Sequence, residues 1–234
     1  MTNFRNTQNE VLDLIRIAHK VAAKGHDDLC EEILNTAHGI RGKSLMGSVP
    51  SNNLMSDLTN LCKDLQISFA VIGGAALMIH GQVRNTEDID VLVDTMPPAD
   101  KMRSQEYMNK FNFFRKTSST GSVITLDHKQ TGGVELLLAN DPLRQWALST
   151  ASIESILGAQ VYVVSAAALI GLKIYAMMNN PSRSSKDAPD ILSIWIKSKP
   201  DLSTVVKFLT PEEIINLEKI IGKKLSEKEE LCTS

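Results

Sequence analysis

Seven residues, Glu87-Asp88-Ile89-Asp90-Val91-Leu92-Val93, alternate acid and aliphatic before Pro97-Pro98 stops the run. A period of two is the signature of a β-strand, so Asp88 and Asp90 share one face while Ile89, Val91 and Val93 share the other. The two carboxylates then stand about 7 Å apart along the strand, where they repel one another unless a cation lies between them. Without a cation the same pattern describes an exposed strand face carrying ordinary surface acids.

What precedes this strand narrows the choice. Ser68-Phe69-Ala70-Val71-Ile72 reads as a buried strand, Gly73-Gly74 ends it, and a short helix runs from Ala75 to His80 before Gly81. Glycines at a strand end allow close approach of a ligand to backbone N–H groups at a helix N-terminus, although a glycine pair alone is often only a turn. A third carboxylate stands in Val134-Glu135-Leu136-Leu137-Leu138, the one charge on an aliphatic strand. Burying it alone costs several kcal/mol, so Glu135 is expected to meet a metal or partner, unless it lies at an exposed strand edge.

The rest of the chain divides around this core. Residues 7–38 read as two helices, and Gly39 to Asn53 as a linker, followed by a helix over about 53–65. A helix over about 99–111 and strands near 122–126 and 134–138 complete an α/β (α+β) arrangement. From Ser165 onward the pattern is helical, over about 165–179, 186–197 and 211–221, before a charged tail containing Glu227-Lys228-Glu229-Glu230. The expected organisation is an N-terminal helical region (1–55), a mixed-sheet core (56–164) and a C-terminal helical region (165–234).

Composition excludes several classes. With 43% hydrophobic and 22% charged residues the chain is of globular type, and a net charge of −2 gives no whole-molecule attraction to nucleic acid or to an anionic membrane. Its three cysteines, Cys30, Cys62 and Cys232, are scattered, so neither a disulfide framework nor a zinc site is expected. The five histidines lack ligand spacing, and His80 is read as a helix-end residue. The apolar stretch from Val161 to Met178 is interrupted by Ser165 and Lys173, too short and polar for a membrane span. No signal peptide is read at the N-terminus, and a cytoplasmic location is expected. Locally, residues 61–100 carry −4, residues 101–130 carry +4 and residues 165–200 carry +3. A site holding cations beside a polyanion would have such a pattern, as would ordinary solvated faces. Lys101, Arg103, Lys110, Arg115, Lys116 and Lys129 in the basic part lean toward RNA, while few aromatics offer little stacking surface for single strands.

Taken together, Val71-Ile72-Gly73-Gly74-Ala75-Ala76, then His80-Gly81, Arg84, Thr86 and Asp88-Ile89-Asp90-Val91, resemble the signature of the DNA polymerase β-like nucleotidyltransferase superfamily. Thirteen residues separate Gly74 from Asp88. Lys173, Arg183 and Lys186-Asp187 extend the resemblance to small bacterial nucleotidyltransferases of the AbiEii type, over roughly residues 65–195. The resemblance implies a small mixed-sheet nucleotidyltransferase core and transfer of an NMP from ATP or another NTP to an acceptor hydroxyl. It further implies two Mg²⁺ ions, or Mn²⁺ in their place, bound by Asp88 and Asp90 with Glu135 assisting. Gly73 and Gly74 would hold the triphosphate, with Arg84 and Thr86 in support.

Glu135 could instead serve as general base. Lys173, set in an aliphatic helix, should reach phosphate or a carboxylate, or else snorkel to the surface. Arg183, Lys186 and Asp187 either contact nucleotide or form a helix start, and Asp187 could pair with Lys173. The acceptor stays open among a tRNA end or other RNA, a protein side chain, and a small molecule such as an aminoglycoside or lincosamide. The corresponding roles are the toxin of a toxin–antitoxin or phage-defence pair, with an antitoxin partner, and an antibiotic-modifying enzyme. A non-catalytic nucleotide-binding or interaction protein of the same fold is the remaining alternative.

Overall fold

Leu54, Met55, Leu58, Leu61 and Cys62 recur at helical spacing and are all buried, and they anchor the first described helix, α1 (Ser51–Asp64), on the sheet. The structure is a computed structural model that describes residues 51–81, 88–129, 132–156 and 159–225. The expected helices over 7–38, most of the linker and the charged tail lie outside these residues, as do Arg84 and Thr86.

The strands are β1 (Phe69–Val71), β2 (Asp88–Val93), β3 (Phe113–Thr120), β4 (Val123–His128), β5 (Gly133–Leu138), β6 (Ser152–Ile156) and β7 (Ala159–Val163). They form one mixed sheet in the order β3-β4-β5-β2-β1-β7-β6. β2 lies between antiparallel β1 and parallel β5. This central placement explains its apolar face: Ile89, Val91 and Val93 are buried, beside Val71 of β1 and Val134 and Leu136 of β5.

Helix α2 (Gly73–Ile79) follows β1, and His80 is its C-cap, with a ring nitrogen 2.9 Å from the Val164 carbonyl. The helix begins at Gly73 itself, two residues before the expected start, so the glycine pair forms its first turn. The single helix expected over 99–111 is two short ones, α3 (Ala99–Arg103) and α4 (Gln105–Asn109). Ser104 divides them: its backbone is extended, at ψ 106°, and its hydroxyl accepts from the Tyr107 N–H as N-cap of the second. α5 (Pro142–Ser149) opens on an Asp141 cap.

From Ala166 to Ile221 every described element is helical: α6 (Ala166–Asn179), α7 (Ser184–Ser198) and α8 (Pro211–Ile221), with short 3₁₀ turns at Pro181–Arg183 and Val205–Phe208. α6 is apolar on nearly every side because it is covered on nearly every side. Gly171 admits Val205 so closely that a Cβ there would lie 2.4 Å from its Cγ2. The Thr210 and Glu213 side chains close a capping box at the start of α8. The apolar stretch beginning at Val161 is divided between β7 and α6, and no described helix is long and apolar enough to cross a membrane.

Candidate active site

The parallel pairing of β2 with β5 sets Asp88 opposite Gly133 and Asp90 opposite Glu135. Directly opposed residues point the same way, so the three acids occupy one face of the sheet. Asp88, exposed at the start of its strand, is oriented by the Gly133 N–H, which donates to its Oδ1 at 2.9 Å. Asp90 and Glu135 are half-buried, and Leu92 and Leu137 follow them two residues on.

Asp90 reaches its place because Gly73 has no side chain. A Cβ on Gly73 would lie 2.0 Å from Asp90 Oδ2, and Gly73 has φ +61°, a left-handed backbone that costs other residues strain. The glycine therefore makes room for a carboxylate, a requirement separate from the phosphate approach expected of it. Gly74 is buried within α2.

Charge is concentrated here. Burial first, then the carboxylates of Glu135 and Asp88, push the Asp90 pKa up to about 6, against the opposing pull of Arg183 and Lys173. An all-oxygen donor set of this kind suits a hard cation, which would relieve the repulsion and restore Asp90 to its ionised form. Among the described residues no three His, Cys, Asp or Glu side chains close on one point as a metal cage. Mg²⁺ is typically held by one or two carboxylates together with substrate phosphates and water, a mode that an open face of acids fits.

A cavity of ≈ 240 Å³ lies over this face, between the sheet and α6. Gly73, Asp90 and Glu135 line it together with Lys173 and Arg183. Lys173 neither snorkels nor stands unpaired: buried, its ammonium donates to Asp187 Oδ1 at 3.0 Å and to Asp190 Oδ2 at 2.8 Å. Arg183 Nε donates to Asp187 Oδ2 at 2.7 Å. Two cations and two buried carboxylates thus neutralise one another beside the acid face.

Of the alternatives open for Asp187, the structure takes the pairing with Lys173, and Asp187 does not line the cavity. Lys186 is exposed and also lies outside the lining. Its turn of α7 presents Asp187 inward and Lys186 to solvent. Of the basic residues between 101 and 130, Lys101 and Lys110 lie over the Tyr107 ring and Lys129 over Phe114.

Four cavity or network residues had no place in the sequence reading: Arg144, Tyr175, Asn179 and Asp190. Asp190 was discoverable, since it lies three residues after Asp187 on the same helical face. Arg144 carried no local signal, because a single arginine nine residues after Glu135 belongs to no motif.

No family model matches the chain, and no curated protein matches it. Solved structures do. One is an antigenic nucleotidyltransferase-like protein from Paracoccidioides brasiliensis, 18% identical, covering 76% of this chain and 94% of its own, with a TM-score of 0.45. Another is ANT(2″)-Ia in complex with adenylyl-2″-tobramycin, 14% identical over 66% of this chain and 92% of its own, with a TM-score of 0.48. A third is the lincomycin-bound lincosamide antibiotic adenylyltransferase LnuA, 14% identical over 63% of this chain and 97% of its own, with a TM-score of 0.43. At such identities and TM-scores the chemistry of this chain rests on its own carboxylates.

Proposed function

We propose that this chain is a divalent-metal-dependent nucleotidyltransferase, moving a nucleoside monophosphate from an NTP to an acceptor hydroxyl. The observation that carries this reading is the pairing of Asp90 with Glu135 beside Asp88, against a glycine that cannot bear a side chain. The building of a repulsive trio of acids into a half-buried sheet face has a purpose if a cation and a polyphosphate complete it.

Asp88, Asp90 and Glu135 would hold Mg²⁺ or Mn²⁺. The ions would supply charge neutralisation at the attacking and leaving oxygens of an in-line displacement. In that displacement the acceptor oxygen forms a bond to the α-phosphorus, the bond from that phosphorus to the pyrophosphate oxygen breaks, and the hydroxyl proton leaves to a carboxylate. Glu135, if it does not hold the metal, is suited to receive that proton instead, lying beside Asp90 in the cavity wall. Arg183, with its side chain 43% exposed and only Nε engaged among the described residues, has donors left for phosphate oxygens. Lys173 is held by Asp187 and Asp190 and lends its charge from the cavity wall. Gly74, Lys186 and Asp187 support the site from outside the cavity, and Arg84 and Thr86 are assigned to the nucleotide by resemblance alone.

The test is incubation with each α-labelled NTP and Mg²⁺ or Mn²⁺, in the presence of total RNA, protein extract, or an aminoglycoside and a lincosamide. Label transferred by the wild type and lost in the Asp88→Ala/Asp90→Ala double variant supports the reading, and the labelled fraction names the acceptor. Absence of both transfer and metal-dependent NTP binding would sink it. The AbiEii-type toxin role is separable: expression of the wild type should arrest growth, and Asp90→Ala should relieve the arrest. A harmless wild type with an active transferase would point to the antibiotic-modifying role instead.

A further inference from the structure

The cavity wall combines two kinds of surface. Asp90 and Glu135 line it with Gly73, Lys173 and Arg183; Leu92 and Leu137, two residues further along the same strands, line it too, together with Leu169, Leu172 and Tyr175 of α6 and Arg144 of α5. Arg183 is engaged by Asp187, and Arg144 by Asn140 and Asp141. Two guanidinium groups therefore line one cavity, each held by its own partners.

Arg144 is held in place. Its Nη1 donates to Asn140 Oδ1 at 3.1 Å and lies 3.0 Å from Asp141 Oδ2, and its guanidinium carbon sits 5.3 Å from the centre of the Tyr175 ring. Both hydrogen-bonding contacts use the same nitrogen. Nε and Nη2 have no partner among the described residues, so a planar, pre-oriented cation keeps donors for a ligand.

From this combination in one cavity we infer that Tyr175 and Arg144 form the nucleobase subsite of the donor NTP. This inference rests on the nucleotidyltransferase reading and adds where the base lies. A flat π-face, a guanidinium plane and a leucine floor are the elements on which bases stack without needing a particular sequence of hydrogen bonds. The spare Arg144 donors add directed contacts to base acceptors.

The test compares two probes in the presence of Mn²⁺, an NTP and inorganic tripolyphosphate, the second carrying the phosphates without a base. In Tyr175→Ala the NTP affinity should fall by about 5- to 150-fold, while tripolyphosphate binds as it does to the wild type, which also reports that the site is folded. Tyr175→Phe keeps the ring and should keep the wild-type NTP affinity. Arg144→Gln should lower NTP affinity by a factor that differs among the four bases, again sparing tripolyphosphate. If both probes weaken together in Tyr175→Ala, or neither does, the base is not on Tyr175 and the inference is overturned while the phosphate site stands. If neither probe binds the wild type in a metal-dependent way, the nucleotidyltransferase reading falls and the inference with it.

Discussion

Asp90 of β2 and Glu135 of β5 are direct partners in a parallel strand pair, forty-five residues apart in sequence and side by side on one face of the sheet. Two acids in such a position destabilise each other directly. The fold accepts that cost at the one place where Gly73 has been kept free of a side chain. Stability and binding chemistry are therefore opposed at this pair.

Neutralising Asp90 should expose the opposition. Asp90→Asn is expected to raise the melting temperature of the metal-free protein, by about 2–4 °C for each kcal/mol of repulsion removed. The same variant should lose transfer by at least about a hundredfold, of the order seen when one electrostatic contributor is deleted from an active site. Calorimetry and the labelled-NTP assay on one sample check both, and a lowered melting temperature would contradict the repulsion.

Raising pH, which ionises Asp90, should act in the opposite sense to that substitution. The folded pKa of Asp90, about 6, lies above its ordinary value of 3.8, so the folded state binds this proton more tightly than the unfolded state does. Its contribution to stability is then fully present below pH 3.8 and is lost as pH rises through 6. Divalent metal needs the ionised form, so metal affinity should fall about tenfold for each pH unit below 6. Thermal shifts with and without Mn²⁺ at several pH values would show a metal-induced gain that grows from pH 5 to 7; a gain independent of pH would remove Asp90 from the metal site.

Gly73→Ala tests the close approach. The added Cβ meets Asp90 Oδ2 at 2.0 Å, and φ +61° strains any L-residue. The backbone strain alone should cost about 1–2 kcal/mol, and displacement of Asp90 should lower kcat by about a hundredfold or more. Denaturant melts and steady-state kinetics measure the two effects separately. Alanine tolerated with full activity would mean that Asp90 is not needed where it lies.

Lys173 is structural as well as electrostatic. Lys173→Met removes the ammonium shared by the buried Asp187 and Asp190, leaving Arg183 on Asp187, and should destabilise the fold by about 3–5 kcal/mol. Adding Asp187→Asn and Asp190→Asn to Lys173→Met should recover much of that loss, because the buried charges go with their partner. Urea unfolding of the single and triple variants decides; equal losses in both would show that Lys173 acts through its alkyl packing.

Local sequence carried a good part of this protein. Acid–aliphatic alternation sufficed for β2, since burial of one face makes a period of two self-consistent. Helices α6, α7 and α8 were legible from apolar spacing and caps, as at Ser165 and Thr210, where a side chain satisfies the backbone within three residues. β3, β6, β7 and α5 were not. The stretch after Phe114 is polar because β3 is an edge strand, and β6 shows Ile153 to solvent, so neither alternates cleanly. Ser104 broke an apparently continuous helix by a capping bond that spacing alone does not reveal.

The carboxylates themselves were determined by the sequence, as residue types on strands of known period. Their grouping was decided only in three dimensions. That Glu135 stands opposite Asp90 depends on the register of two parallel strands, which no local pattern encodes. That Lys173 meets Asp187 and Asp190, and Arg144 meets Tyr175, depends on how α5, α6 and α7 pack. Periodicity and capping are energies of neighbours along the chain, whereas register and ion pairing minimise the cost of burying charge between segments that meet only when the sheet and helices close together.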